Sequence, residues 1–131
     1  MENIFIPEGY QRVMPYLIIR NAEGFLPFTQ QLFGAVEKMI RRNEDGTLMH
    51  GELIIGDSTI MFANASEQWT PMTAGLYVHV ADADASYQLA LKLGASSVME
   101  PADQPYGRSC GVLDPFGNTW WITTTQSGNQ G

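Results

Sequence analysis

His50 and Glu52 stand two residues apart in the stretch MHGELIIGDSTIMFAN, residues 49–64. On a strand that spacing puts both side chains on one face. Imidazole titrates near neutrality and a neighbouring carboxylate tunes it, so the pair could transfer a proton. It could equally supply two ligands of a displaced metal site. The plainer alternative is a hydrogen-bonded pair that orients the sheet or holds a polar substrate. His50 and Glu52 are therefore the candidate catalytic residues.

Other reactive types are sparser. Cys110 is the single cysteine, and a nucleophilic thiol needs a base or positive charge beside it. Arg108 is two residues away, but no motif accompanies it, so a small buried thiol is the expectation. Trp69, Tyr106 and Arg108 are read as loop residues, where aromatic and guanidinium groups can close over a ligand or pack on a neighbouring subunit. The chain has no G-x-x-x-x-G-K-[ST] or G-x-G-x-x-G phosphate loop, and no Ser-His-Asp arrangement follows from spacing.

The elements that must carry these side chains occur twice. VMPYLIIR (13–20) is an apolar strand. Phe25, Phe28, Leu32 and Phe33 then recur at helical spacing, with Pro27 tolerable only in the first turn and Gly34 as the C-terminal glycine. VEKMIRR (36–42) is a short strand, NEDG a turn, and residues 50–64 a hairpin about Gly56-Asp57. The second copy runs from the strand GLYVHVA (75–81) through a helix capped by Asp82 and ended by Gly94, with Ala85, Leu89, Ala90 and Leu93 on one face. The strands SSVME (96–100), CGVL (110–113) and NTWWITT (118–124) follow, the last two joined by a DPFG turn. Leu17 matches Leu76, and Gly34-Ala35 falls within one residue of Gly94-Ala95. A period of roughly 60 residues is a duplicated β-α-β-β-β unit. Module one covers about 10–64, module two about 74–125, and ASEQWTPMT (65–73) is the linker of one domain.

A single helix covers one face of each sheet, leaving the other open. In the first hairpin the turn pairs Ile54 with Thr59, Glu52 with Met61 and His50 with Ala63, so these six share the open face. Leu53, Ile55, Ile60 and Phe62 are left for the helix side. With DPFG as a four-residue turn, Val112 pairs with Thr119 and Cys110 with Trp121. Thr119, Trp121 and Thr123 then share the open face with Cys110, Val112 and Arg108, while Trp120 and Ile122 lie under the helix.

Composition limits the partners. The chain of 131 residues is 44% apolar and 16% charged, as expected of a soluble globule. Its net charge of −7 argues against nucleic acid, which requires a basic stripe, and against an anionic membrane surface. The opening residues lack a signal-peptide pattern, and with a single cysteine the expected compartment is the cytoplasm. The tail QSGNQG is expected to fray.

The duplicated unit resembles the vicinal oxygen chelate superfamily, which includes glyoxalase I, bleomycin-resistance proteins and extradiol dioxygenases. PYL (15–17), MHGELIIGDSTIMFAN, LYVHVADADA (76–85) and DQPYG with DPFGNTWWITT carry a closer resemblance to its PhnB-like branch. The resemblance implies an α+β fold of two tandem β-α-β-β-β modules, with curved mixed sheets around a cleft, in a homodimer. In metal-dependent members it implies one ligand from the first and last strand of each module. Those positions fall here at Pro15, Met61, Leu76 and Trp121. None is His, Glu or Gln, so the expected cofactor is none and the expected metal site is absent. Parity with Leu76 sends His79 to the helix side.

The expected function is metal-independent binding of a small organic molecule. The expected lining is Leu17, Ile19, His50, Glu52, Met61, Thr119 and Trp121, with Trp121 as a stacking surface and Trp69, Tyr106 and Arg108 in the loops. The alternatives are a lyase or isomerase using His50 and Glu52, with or without a metal, and an interaction module with a filled cavity.

Overall fold

The protein is described here by a computed structural model covering residues 3–125. The tail QSGNQG, expected to fray, lies outside the described residues. After Met72 the chain passes from one compact unit to a second. The first holds β1 (Tyr16–Ile19), a single 3-10 turn at Ala22–Gly24, α1 (Phe25–Phe33), β2 (Val36–Arg42), β3 (Leu48–Ile55) and β4 (Ser58–Asn64). The second holds β5 (Gly75–His79), α2 (Ala83–Lys92), β6 (Ser96–Gln104), β7 (Gly107–Leu113) and β8 (Thr119–Thr124). Each is a four-stranded sheet of the same topology, β1-β4-β3-β2 and β5-β8-β7-β6, in which the first strand runs parallel to the last. This is the duplicated β-α-β-β-β architecture of an α+β fold.

Local chemistry accounts for the helix ends. Pro27 lies in the first turn of α1, where its missing N–H costs no intrahelical bond. Gly34 and Gly94, with φ of 70° and 104°, take the left-handed conformation that follows each helix. Asp82 caps α2 by accepting from the Ala85 N–H at 3.1 Å. The buried stripe of α2 is Ala83, Tyr87 and Ala90, however, and Ala85 and Leu89 are exposed. Tyr87 supplies most of the apolar area on that stripe and sends its hydroxyl to Ser97 Oγ.

The core of the first unit lies between α1 and its sheet. Phe25 meets Phe62 edge to face at 5.1 Å between ring centroids, and Leu53, Ile60 and Phe62 are buried on that side. The first hairpin has the expected register, with Ile55 opposite Ser58 and Glu52 opposite Met61. Leu17 and Ile19 are the correction. Parallel pairing sets Leu17 beside Phe62 and Tyr16 beside Met61. Leu17 and Ile19 are therefore packed under the helix side, and Tyr16 and Ile18 take the open face. The partner of this strand is distant in sequence, and a shift of one residue reverses every facing.

In the second unit the last hairpin departs from expectation by one residue. Leu113 pairs with Thr119, Val112 with Trp120, Gly111 with Trp121 and Cys110 with Ile122. The loop is five residues, Asp114–Asn118, because the Asp114 carboxylate gathers it. That carboxylate accepts from the N–H groups of Phe116 and Asn118, from Asn118 Nδ2 and from Trp120 Nε1, at 2.8–3.1 Å. Cys110, Val112 and Arg108 thus move to the helix side with buried Trp120 and Ile122, while Thr119, Trp121 and Thr123 keep the other face. Leu76 pairs with Trp120 and His79 with Thr123. Leu76 therefore belongs to the helix side, and His79 is exposed on the open one, edge-on to Tyr77.

Candidate functional site

The open face of the first unit carries a continuous hydrogen-bonded chain. Tyr10 Oη donates to Glu52 Oε1 at 2.5 Å, Glu52 Oε2 lies 2.9 Å from His50 Nε2, and His50 Nδ1 lies 3.1 Å from Tyr16 Oη. Strands β1 and β3, which flank β4, supply Tyr16 and the His50–Glu52 pair, while Tyr10 comes from the irregular segment before β1. That segment is fixed because β1 is too short to cover the start of β4. The exposed backbone edge at Thr59 is bonded instead by the Gln11 side-chain amide, whose Nε2 donates to the Thr59 carbonyl at 2.9 Å. Thr59 Oγ1 in turn donates to the Gly9 carbonyl. A register shift in β2 leaves Lys38 as the extra residue of a bulge, and its ammonium sits 4.8 Å over the Tyr10 ring.

This cover buries Glu52, which retains 2% of its exposure. Burial pushes its carboxyl up. The hydrogen bonds from Tyr10 and His50, with the positive charges of His50 and Lys38, outweigh that and hold it below its ordinary range. The hydrogen bond to Glu52, then burial, raises the Tyr10 phenol. Glu52 is therefore an anion with both oxygens engaged.

Beyond His50 the same face opens into a cavity of about 820 Å³. Tyr16, Ile18, Leu48, His50, Ala63 and Trp69 form much of its wall, with Asn43, Asn64 and Ser66 adding polar groups. A volume of this size with mostly apolar walls and a few convergent polar groups suits a small organic ligand. A smaller, open pocket of about 420 Å³ is lined by Phe5, Tyr10 and Met14 of the N-terminal segment together with Met61.

Of the expected site residues, His50, Glu52 and Met61 share this face, and Trp69 borders the larger cavity with His50. Leu17 and Ile19 do not reach it. Thr119 and Trp121 share the open face of the second unit, where Trp121 lies over Gly111. Tyr106 sits in the β6–β7 turn, with its carbonyl accepting from Thr125 Oγ1 at 3.3 Å. Arg108 is a strand residue, not a loop residue. Its guanidinium forms a two-pronged bond with Asp84 of α2 at 2.9 and 3.1 Å and a contact with Asp103 at 3.3 Å. That engagement ties β7 to the helix. Cys110 is buried, its thiol pushed up to about 11 by desolvation, then by the Asp84 charge. Sequence reasoning missed Tyr16 and Tyr10. The signal for Tyr16 was its alternation with Leu17, given the right register; Tyr10 had no periodic context.

The four positions where the resemblance implies metal ligands do not fit a divalent ion. Pro15 offers only a carbonyl, which accepts from the Met61 N–H at 3.0 Å. Met61 is a thioether, Leu76 belongs to the packed side, and Trp121 has no donor pair. Among the described residues no three His, Cys, Asp or Glu side chains converge.

Two tandem modules, each with a helix on one sheet face and an open second face, define a duplicated α+β fold that presents its chemistry on bare sheet. The chain belongs to the glyoxalase/bleomycin resistance protein/dioxygenase superfamily, whose family model matches residues 11–122. Rv0887c of Mycobacterium tuberculosis is 33% identical over 118 residues, covering 81% of this chain and 69% of that protein. Among solved structures, TioX from Micromonospora sp. ML1 superposes with a TM-score of 0.72 at 22% identity, covering 88% of this chain and 99% of that one. A PhnB protein from Bacillus cereus gives 0.70 at 17%, covering 88% and 100%. TnmS3, an antibiotic binding protein from Streptomyces sp. CB03234, gives 0.67 at 16%, covering 89% and 100%. These likenesses show the fold. No helix among the described residues is long and apolar enough to cross a membrane.

Proposed function

We propose that this chain binds a small, partly aromatic organic molecule in the cavity of its first unit, with no metal taking part. The observation that carries this reading is the cavity of about 820 Å³ bounded by Tyr16, His50 and Trp69. Trp69, 59% exposed, offers a stacking face, and Tyr16 and His50 offer polar groups for one end of the ligand. Glu52 stands behind His50 and orients it. Superfamily membership, and an antibiotic-binding neighbour of the same fold, support the reading. The resemblance adds a homodimer, and the single cysteine with the opening residues adds a cytoplasmic location, which sedimentation and cell fractionation test.

A thermal-shift screen against aromatic metabolites and antibiotics tests the binding. The expected outcome is a compound that raises the Tm of wild type and raises that of Trp69→Ala less. A screen without any shift contradicts the reading. The His50–Glu52 bond of 2.9 Å favours a second reading, a lyase or isomerase that transfers a proton through His50. Turnover of the bound compound, lost in His50→Ala, would replace binding by catalysis.

A further inference from the structure

The hydrogen-bonded chain has a direction. An ionised carboxylate only accepts, so Glu52 takes one proton from the Tyr10 hydroxyl and another from His50 Nε2–H. In the neutral form of His50 the proton therefore sits on Nε2 and Nδ1 carries a lone pair. Tyr16 Oη, 3.1 Å from that nitrogen, must be the donor. Its hydroxyl hydrogen is spent on His50, and the remaining lone pairs of its oxygen are the polar feature it presents to the cavity. Tyr16 is 49% exposed, and its ring leans on the imidazole at 5.5 Å between centroids, which holds the phenol in place.

We propose that Tyr16 is the ligand-contacting end of the Tyr10–Glu52–His50–Tyr16 chain and selects aromatic ligands bearing a hydroxyl by accepting that hydroxyl's hydrogen bond. The inference rests on the cavity reading above and adds the ligand's chemistry to it. A ligand whose oxygen is methylated has no hydrogen to give and meets an acceptor with an acceptor. Tyr16 is thus a specificity residue, Tyr10 and Glu52 are positioning residues that act through His50, and the geometry requires no metal.

The test is calorimetric titration of wild type and Tyr16→Phe with 4-methylphenol and with 4-methylanisole, at a pH above the ordinary imidazole range and below that of the phenol. The two probes share a ring and differ in the hydroxyl hydrogen. Wild type is expected to prefer the phenol by about tenfold, the worth of one hydrogen bond that the ether cannot make. Tyr16→Phe is expected to bind both alike, at the affinity wild type shows for the ether, which also reports an intact cavity. Equal binding of the two probes by wild type overturns the inference whatever the variant does, and leaves the cavity reading in place. So does a phenol preference that survives in Tyr16→Phe. Failure of both probes to bind wild type overturns the inference and the cavity reading together.

Discussion

The two modules share a topology and differ in what their open faces carry. In both, the helix side is centred on buried apolar side chains: Phe62 under α1 and Trp120 under α2 occupy matching places, each opposite a leucine of the first strand. The open faces have diverged. In the first module, buried Glu52 holds His50, which holds Tyr16, and residues 9–11 cover one end. In the second, Gly111 stands where His50 stands in the first, and the Trp121 ring lies over it. Exposed Tyr77 and His79 flank it on β5. Packing constrains the closed side, because any change of volume there is felt by the whole core. The open side bears no such constraint and is free to acquire polar chemistry in one copy and an aromatic surface in the other.

The sharpest contrast lies within one dipeptide. Trp120 is 1% exposed and bonded to Asp114, and Trp121 is 37% exposed. Trp120→Ala removes a buried ring and leaves the Asp114 carboxylate short of a donor. It is expected to cost roughly 3–5 kcal/mol, whereas Trp121→Ala costs about 1 kcal/mol. Urea denaturation of both variants checks this, and equal losses would erase the distinction between the two faces.

A pair of glycines sharpens the same comparison with smaller effects. A methyl at Gly51 would run into the ring of fully buried Phe62, and one at Gly111 into the ring of Trp121. Phe62 has nowhere to go, so Gly51→Ala is expected to lose about 1–3 kcal/mol. Trp121 can swing toward solvent, so Gly111→Ala is expected to lose less. Thermal unfolding ranks the two.

The polar chain of the first module predicts a pH effect carried by its open face. Glu52 is held below its ordinary value of 4.5. Its contribution to stability is fully present above that value and is lost as pH falls through the lower folded one. Glu52→Gln should therefore flatten the acid limb of the stability curve relative to wild type, with little change in slope above the carboxylate range. An unchanged acid limb would mean that the Tyr10 and His50 bonds do not stabilise the anion.

Much of this was legible in the sequence, and the failures have identifiable physical origins. The duplication, the helix-ending glycines and the Gly56-Asp57 hairpin depend on neighbours along the chain, and each took its expected form. The facings of Leu17, Ile19 and His79 depend on parallel partners tens of residues away, for which local alternation gives no register. The last hairpin slipped because Asp114 recruits Asn118 into a five-residue loop through side-chain bonds that strand periodicity does not encode. Trp120 and Trp121 nevertheless fell on the expected sides, since adjacent strand residues alternate in any register. At the site, His50 and Glu52 were visible as a spaced pair. Tyr10 was not, because it reaches Glu52 from irregular chain.

The account's central claim is that the ligand is taken by the first module's cavity, beside Trp69, and not by the aromatic face around Trp121. Quenching of tryptophan fluorescence by a bound aromatic compound tests it, measured in Trp69→Phe and Trp121→Phe. The prediction is that quenching and affinity fall sharply in Trp69→Phe and persist in Trp121→Phe. Quenching that survives in Trp69→Phe and vanishes in Trp121→Phe would contradict the claim.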